Sequence, residues 1–480
     1  MSNVLVRIPF LALTLAATTI TAQSVTDQEV TTAIGRMKRH FYRIQDRQSG
    51  HWEASYRNSH YGGETALVVL ALLLSGESAQ SPPLAKAIGW LAKAQLNSTY
   101  AVALRAMVWS HLPDSYHERL VVDAKWLLEA AASHGRHLFD YRSHKTSRFD
   151  HSVTQFATLG LWGAAKRGVR IPAVFWSRLQ THFLDSQTLD GGWGYNDTGA
   201  AYGSMTAAGL TVLLVCRQQL NPNSTDVPER LNRSIDDALK WLDHRFDGAK
   251  NPASGRWPYY YLASIERVAL AGGIRQLNGQ DWYRVGARHI LDQHFIDESS
   301  PAFGSVTSSP WQTAFALMFL ARGQYPVWIS KLAVPELRWN RRPNDIHQLT
   351  EYLSNVSERE LNWQVVTVDS PAQNWINAPL LYLTSSESVA LTESQQQHVK
   401  RYLELGGTLV ASPIKGSSKF KVSIRRLVRA MHPRFRMRPL GADHPLFRSV
   451  HRLKAGTGGP VFGLSNGVRE LVLLADRDWG

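Results

Sequence analysis

The chain has 480 residues, 53 Lys and Arg against 39 Asp and Glu, 44% hydrophobic residues and a mean hydropathy of −0.24. That length exceeds one ordinary core and suits two or three domains, while the apolar fraction excludes wholesale disorder. The single cysteine, Cys216, excludes an intramolecular disulfide, a cysteine-rich zinc site and an iron–sulfur cluster.

Residues 1–22 read as a secretory signal: an early Arg7, an apolar run from Ile8 to Ile20, then the small Thr21 and Ala22. The run is shorter than the roughly 20 residues a membrane-spanning helix needs. An exported protein with one cysteine fits a bacterial periplasm. From 26 to 323, apolar residues at helical spacing predict twelve helices: 26–46, 65–77, 85–95, 100–112, 116–135, 152–169, 172–187, 205–220, 229–246, 259–273, 281–295 and 310–323. Thr26 and Glu29 have capping-box spacing, and Pro172 takes a first-turn position. Helices joined by short turns predict six stacked hairpins.

Several turns repeat Gly and Trp just before an apolar helix: Gly50-His-Trp52, Gly191-Gly-Trp193 and Gly255-Arg-Trp257, with Phe303-Gly-Ser305 in a similar place. The fullest copy is Gln187-Thr-Leu-Asp-Gly191-Gly-Trp193. There Gly permits a tight turn, Trp covers helix ends and Gln ties the turn to neighbouring backbone. This motif resembles the squalene cyclase and prenyltransferase repeat. The resemblance spans about 30–323 and implies an α/α toroid, an inner ring of six helices wrapped by an outer ring around a central cavity. The tract from Trp257 to Arg267, followed by Asp281-Trp-Tyr283, also resembles exported bacterial proteins of this class with no known activity.

The family's chemistry is not carried over. The Asp-x-Asp-Asp acid of the cyclases is absent, and Asp236-Asp237 reads as a pair of solvated first-turn carboxylates. The prenyltransferase zinc set needs Asp two residues before Cys, whereas Leu214 stands there before Cys216. The 18 His show no local metal-binding spacing, so neither a metal nor another cofactor is expected. The remaining cavity-lining candidates stand where inner helices begin: Tyr61, Glu64, Asp150, His151, Asp197, Tyr202, Tyr260 and Glu266. Adjacent Glu266 and Arg267 are expected on different helix faces.

After Gly323 the rhythm changes. Residues 324–333 read as a linker; strands are predicted at 363–368, 380–384, 408–411 and 470–475, with helices at 345–355, 392–405 and 419–431. Strands alternating with helices predict a doubly wound, mostly parallel α/β domain. Asn344-Asp345, Ala378–Thr384, Tyr402–Ala411 and Asp443–Phe447 resemble a bacterial domain family of unknown function related to class I glutamine-amidotransferase-like folds, over about 334–480. That half has no cysteine nucleophile. Ser412 lacks a Gly-x-Ser-x-Gly elbow, and Asp443-His444 reads as a turn. Stopping directly after a strand, the half is read as truncated or abbreviated.

Residues 331–480 hold 21 Lys and Arg against 13 Asp and Glu. Lys415, Lys419, Lys421, Arg425, Arg426 and Arg429 form an anion-binding candidate, suited to an anionic surface rather than nucleic acid. The expectation is an exported binding or scaffolding protein of the cell envelope without catalytic residues, its ligand or partner small-molecule, lipid or protein. An enzyme acting on a terpenoid lipid or glycan in the toroid, using Glu64, Asp150 or Asp197, is one alternative. A purely structural repeat protein is another. An enzyme should gather two of those carboxylates round one cavity.

Overall fold

The computed structural model describes residues 25–133, 135–143, 147–221, 227–294, 309–448 and 458–479; the segment 1–22, read from the sequence as a secretory signal, lies outside them. Twelve helices come first: α1 (Asp27–Ile44), α2 (Gly63–Leu74), α3 (Pro82–Leu91), α4 (Thr99–Ser110), α5 (His117–Ser133), α6 (His151–Lys166), α7 (Ala173–Asp185), α8 (Gly203–Leu220), α9 (Glu229–Arg245), α10 (Pro258–Gly272), α11 (Trp282–His294) and α12 (Pro310–Gly323). A short hairpin, β1 (Gln276–Leu277) with β2 (Gln280–Asp281), precedes α11. All twelve predicted helices are present. Thr26 and Glu29 close both halves of their capping box, and Pro172 is the cap of α7 rather than its first turn.

Odd and even helices differ in composition, and that difference sets the architecture. α9 buries Leu231, Ile235, Ala238 and Leu242 along one stripe and leaves its other face charged. Asp236 and Asp237 lie mid-helix on that charged side, not in the first turn as expected. α8, in contrast, is buried from Gly203 through Arg217, with Cys216 fully inside. A helix apolar all round needs neighbours on every side. The even helices find them in one another: α2 packs on α4, α4 on α6, α6 on α8, α8 on α10, α10 on α12, and α12 returns to α2. The odd helices wrap this closed inner ring, an α/α toroid.

The repeated turns lock outer helix to inner helix. In two repeats a Gln amide donates to a turn carbonyl and to the next outer helix: Gln45 to Gly50 and Pro83, Gln187 to Gly191 and Ser234. In both, the indole donates to the preceding outer helix, Trp52 to the Phe41 carbonyl and Trp193 to that of Phe183. The same two Trp backbone amides donate to a threonine in the first turn of the inner helix, Thr65 and Thr206. Phe139 takes this position in a third repeat, donating to Thr154, a copy hidden in the sequence because Phe replaces Trp. Trp257 is not an equivalent copy. It is 50% exposed and caps α10 in the left-handed conformation, directly before Pro258 in the helix's first turn. Phe303-Gly-Ser305 falls outside the described residues.

The second unit is a seven-stranded sheet: β3 (Val327–Ala333), β4 (Asn362–Thr367), β5 (Leu380–Ser385), β6 (Thr408–Pro413), β7 (Met437–Pro439), β8 (Val461–Ser465) and β9 (Glu470–Ala475). Strand order is β4-β3-β5-β6-β9-β8-β7. The first five are parallel, β8 pairs antiparallel with β9, and β7 pairs antiparallel with β8. Helices α13 (Asp345–Ser357), α14 (Glu393–Glu404) and α15 (Ser418–Met431) complete it. The segment expected as a linker is strand β3. Its run Trp-Ile-Ser-Lys-Leu-Ala is buried between two parallel partners, so it lacks the alternation of a one-sided strand. One sheet face packs on α14 and α15 through Val399, Tyr402, Phe420 and Ile424. The other carries Ile329, Trp363 and Tyr382 towards α13 and the ring.

Candidate functional site at the mouth of the ring

Each inner helix follows an outer helix running the other way, so all six begin at one end of the ring. The opposite end is covered by the sheet domain. Val365 donates its amide to the Gly273 carbonyl at 2.6 Å, the Asn362 amide reaches the Arg322 and Tyr325 carbonyls, and Lys166 pairs with Glu351 at 3.2 Å. Entry is from the end where the inner helices begin.

The ring's centre, expected to be hollow, is filled. Phe156 on α6 and Phe315 on α12 stand across the ring from each other, with centroids 6.3 Å apart. Tyr260 on α10 meets Phe315 at 5.5 Å, and Tyr100 on α4 meets Phe156 at 5.4 Å. The Ser152 hydroxyl links Tyr100 (2.7 Å) and Tyr260 (3.0 Å). Four aromatic side chains in mutual contact thus span the ring. Below this layer the Arg267 guanidinium, whose two terminal nitrogens have no hydrogen-bond partner among the described residues, lies over Phe156. Glu266 and Arg267 are both buried, because α10 is enclosed on all sides. Glu266 forms an ion pair with Arg322 at 2.9 Å, and burial still pushes its carboxyl up. Glu266 therefore lies deep in the ring and not in its open mouth.

An open cleft of about 360 Å³ lies above the filled centre, beside the beginnings of α6 and α8. It is lined by Asp140, Tyr141, Arg148, Asp150, Tyr195 and Asp197, among others. Asp150 caps α6, its carboxylate accepting from the Val153 amide at 2.7 Å. Tyr195 lies beside that carboxylate, favouring its charged form, and its hydroxyl is 2.5 Å from that of Tyr141, so the three groups form one polar row. Burial pushes the Asp150 carboxyl up to about 6, against the lowering effect of these donors. Tyr141 continues the rim through ring contacts with Tyr100 and His60.

Asp197 stands on the turn before α8, where Arg136 pairs with one carboxylate oxygen at 3.0 Å. Its other oxygen faces two imidazoles: His182 Nε2 at 3.5 Å and His151 Nε2 at 3.8 Å. His151 is fully buried and its Nδ1 donates to the Gly194 carbonyl at 2.8 Å. Its Nε2 is 3.0 Å from His182 Nε2. Burial holds both imidazoles below the ordinary histidine range, His182 at about 4.

Of the eight cavity candidates, Asp150, His151 and Asp197 come together at this cleft. Tyr202 and Tyr260 stand close by: Tyr202 caps α8, and Tyr260 belongs to the layer filling the ring beneath. Tyr61 and Glu64 do not join them. They begin α2, half a ring from α8, where Tyr61 packs on Trp90 and His51. Glu64 there neighbours Glu53, and burial with that like charge pushes it up to about 7. His182, Tyr141 and Tyr195 were not identified from the sequence. His182 lies on an outer helix 31 residues from His151, a separation with no local signature.

In the sheet domain, Lys419, Arg425, Arg426 and Arg429 are exposed on α15. Lys421 instead pairs with Asp476 at 2.8 Å, since it points back to the end of β9. Lys415 sits before the helix, its backbone amide held by Asp478. Ser412 is buried and accepts from the Trp479 amide, which leaves its oxygen no approach to a substrate. Asp443 pairs with Arg448 while His444 faces Glu470 at 3.5 Å, so they form no dyad.

Residues 328–468 match the model of a domain of unknown function, DUF4159. No curated protein matches the chain. Among solved structures it is similar to the type II terpene cyclase MstE from Scytonema, with 13% identity over 62% of this chain and 98% of that one, at a TM-score of 0.42. It is also similar to a possible member of the GH105 family from Salmonella enterica serovar Paratyphi A, with 12% identity over 62% of this chain and 94% of that one, at 0.46.

Proposed function

We propose that this is an exported, non-catalytic binding protein of the bacterial envelope whose toroid mouth takes a polar, hydroxyl-rich ligand of the glycan class. The observation that carries the reading is the row Tyr141–Tyr195–Asp150 sharing one open cleft with Asp140 and Asp197. Carboxylates accept hydroxyl protons, phenols both donate and accept, and aromatic faces cover sugar C–H surface. A terpenoid lipid fits poorly, because its place at the ring's centre is taken by Tyr100, Phe156, Tyr260 and Phe315. The exposed face of α15 would meet an anionic surface, holding the protein at the envelope. The sheet domain takes the amidotransferase-like class as a scaffold without that chemistry; the strand order β4-β3-β5-β6 supports this, being the doubly wound order of flavodoxin-like folds.

A glycan array probed with the purified chain tests the reading. Wild type should bind a defined subset of oligosaccharides. Asp150→Asn, which keeps a capping side chain, together with Tyr195→Phe should weaken that binding at least about tenfold, the loss of two or more buried hydrogen bonds. Retention of terpenoid lipids with no glycan binding would contradict it.

A second reading, an enzyme acting on such a ligand, is favoured by Asp150 and Asp197 lining one cleft, one buried and the other exposed. Product formation from an array hit, abolished in Asp150→Asn while binding persists, would decide for it.

A further inference from the structure

We propose that His151, His182 and Asp197 form a binding site for one divalent transition ion of the zinc class. Three donor atoms of suitable type converge from three separate elements: the first residue of α6, the last turn of α7 and the turn before α8. Their separations are 3.0, 3.5 and 3.8 Å. A tetrahedral ion with bonds of about 2.0–2.1 Å requires donors about 3.3–3.4 Å apart, so small side-chain shifts bring all three into contact with one ion.

The surroundings favour this arrangement. The Gly194 carbonyl can only accept, so His151 carries its proton on Nδ1 and presents a lone pair at Nε2 towards the other two groups. A backbone carbonyl on the distal imidazole nitrogen is the usual outer support of a histidine ligand. Arg136 holds the far oxygen of Asp197 at 3.0 Å and turns the near one inwards. The loop itself is strapped down, since the His151 amide donates to the Tyr195 carbonyl at 2.9 Å. Two nitrogens and one oxygen select zinc, cobalt or nickel over magnesium or calcium, which prefer all-oxygen sets. Three protein ligands leave a fourth position, and Asp197 borders the cleft from which water or a ligand hydroxyl would fill it. The inference stands on this geometry and does not depend on the glycan reading.

The full chain, stripped with a chelator and titrated with zinc chloride by calorimetry, tests it, with cobalt(II) absorption as a second readout. One ion per chain is expected, with an intense visible cobalt band of low coordination number. His182→Gln lies on an outer helix and should keep the wild-type circular dichroism while weakening zinc at least about 100-fold. Asp197→Asn should weaken it at least about tenfold and alter the cobalt spectrum. Absence of a stoichiometric site, or binding unchanged in His182→Gln, would overturn the proposal; the latter would mark the zinc as adventitious on other histidines.

Discussion

Gln187 shows how a single side chain holds two helices and a turn together. Its amide donates to the Gly191 and Ser234 carbonyls at 2.8 and 2.9 Å, and its oxygen accepts from the Ser234 hydroxyl at 2.6 Å. Gln187→Ala leaves those partners half-buried and unpaired, so chemical denaturation should report a loss of about 2–3 kcal/mol. Gln187→Glu should be less damaging at acid pH than at neutral pH, since only the protonated acid can donate. Glu64 supplies a pH-dependent term of its own. Its carboxyl is raised in the folded state from 4.5 to about 7, chiefly by burial and then by Glu53. A raised carboxyl binds its proton more tightly when folded, so its contribution is present below pH 4.5 and is lost as pH rises through about 7. With screening at this partly exposed group, the loss should be about 1 kcal/mol. Glu64→Gln should remove that slope from a plot of unfolding free energy against pH, and an unchanged slope would show that Glu64 is solvated like an ordinary carboxylate.

Among the elements, α8 shows why the inner helices read so clearly in the sequence. Burial on every side requires an apolar helix without a polar face, and Gly203, Gly209 and small alanines let its neighbours approach. A β-carbon on Gly209 would lie 2.4 Å from the Trp193 ring, which is itself fully buried. Gly209→Ala should therefore cost about 2–3 kcal/mol despite the better helix propensity of alanine, measured as a lowered denaturation midpoint. The twelve helices were legible because two compositions alternate, amphipathic outside and apolar inside. β3 was not, since its buried lysine and its position directly after α12 imitate a polar connector; Lys331 is in fact paired with Asp345 at 2.6 Å inside the domain. β7 and β8 were missed for a different reason: both are short, and β7, three residues long, is distant in sequence from β8, with which it pairs. The site was legible only in the members that stand at or shortly before the start of an inner helix, His151 among them. Asp150 and Asp197 flank predicted inner helices, whereas His182 reaches the cleft from an outer helix whose pattern shows only a packed stripe.

At the scale of the whole molecule, the two units divide the ring's surfaces between them. The sheet domain covers the end where inner helices finish, through Val365, Asn362 and Glu351. Aromatic side chains fill the middle, and the repeat turns before α6 and α8 gather carboxylates, phenols and imidazoles at the remaining end. The open polar groups of the ring are thus gathered at the mouth, on loops held by a rigid ring, where binding groups are commonly placed. The most direct test is hydrogen–deuterium exchange of the full chain with and without an oligosaccharide found to bind it. Slowed exchange should be confined to segments 139–143 and 147–153 and to the turn 194–198. Protection along the inner faces of α2 and α10, or only on α15, would contradict a site at the mouth.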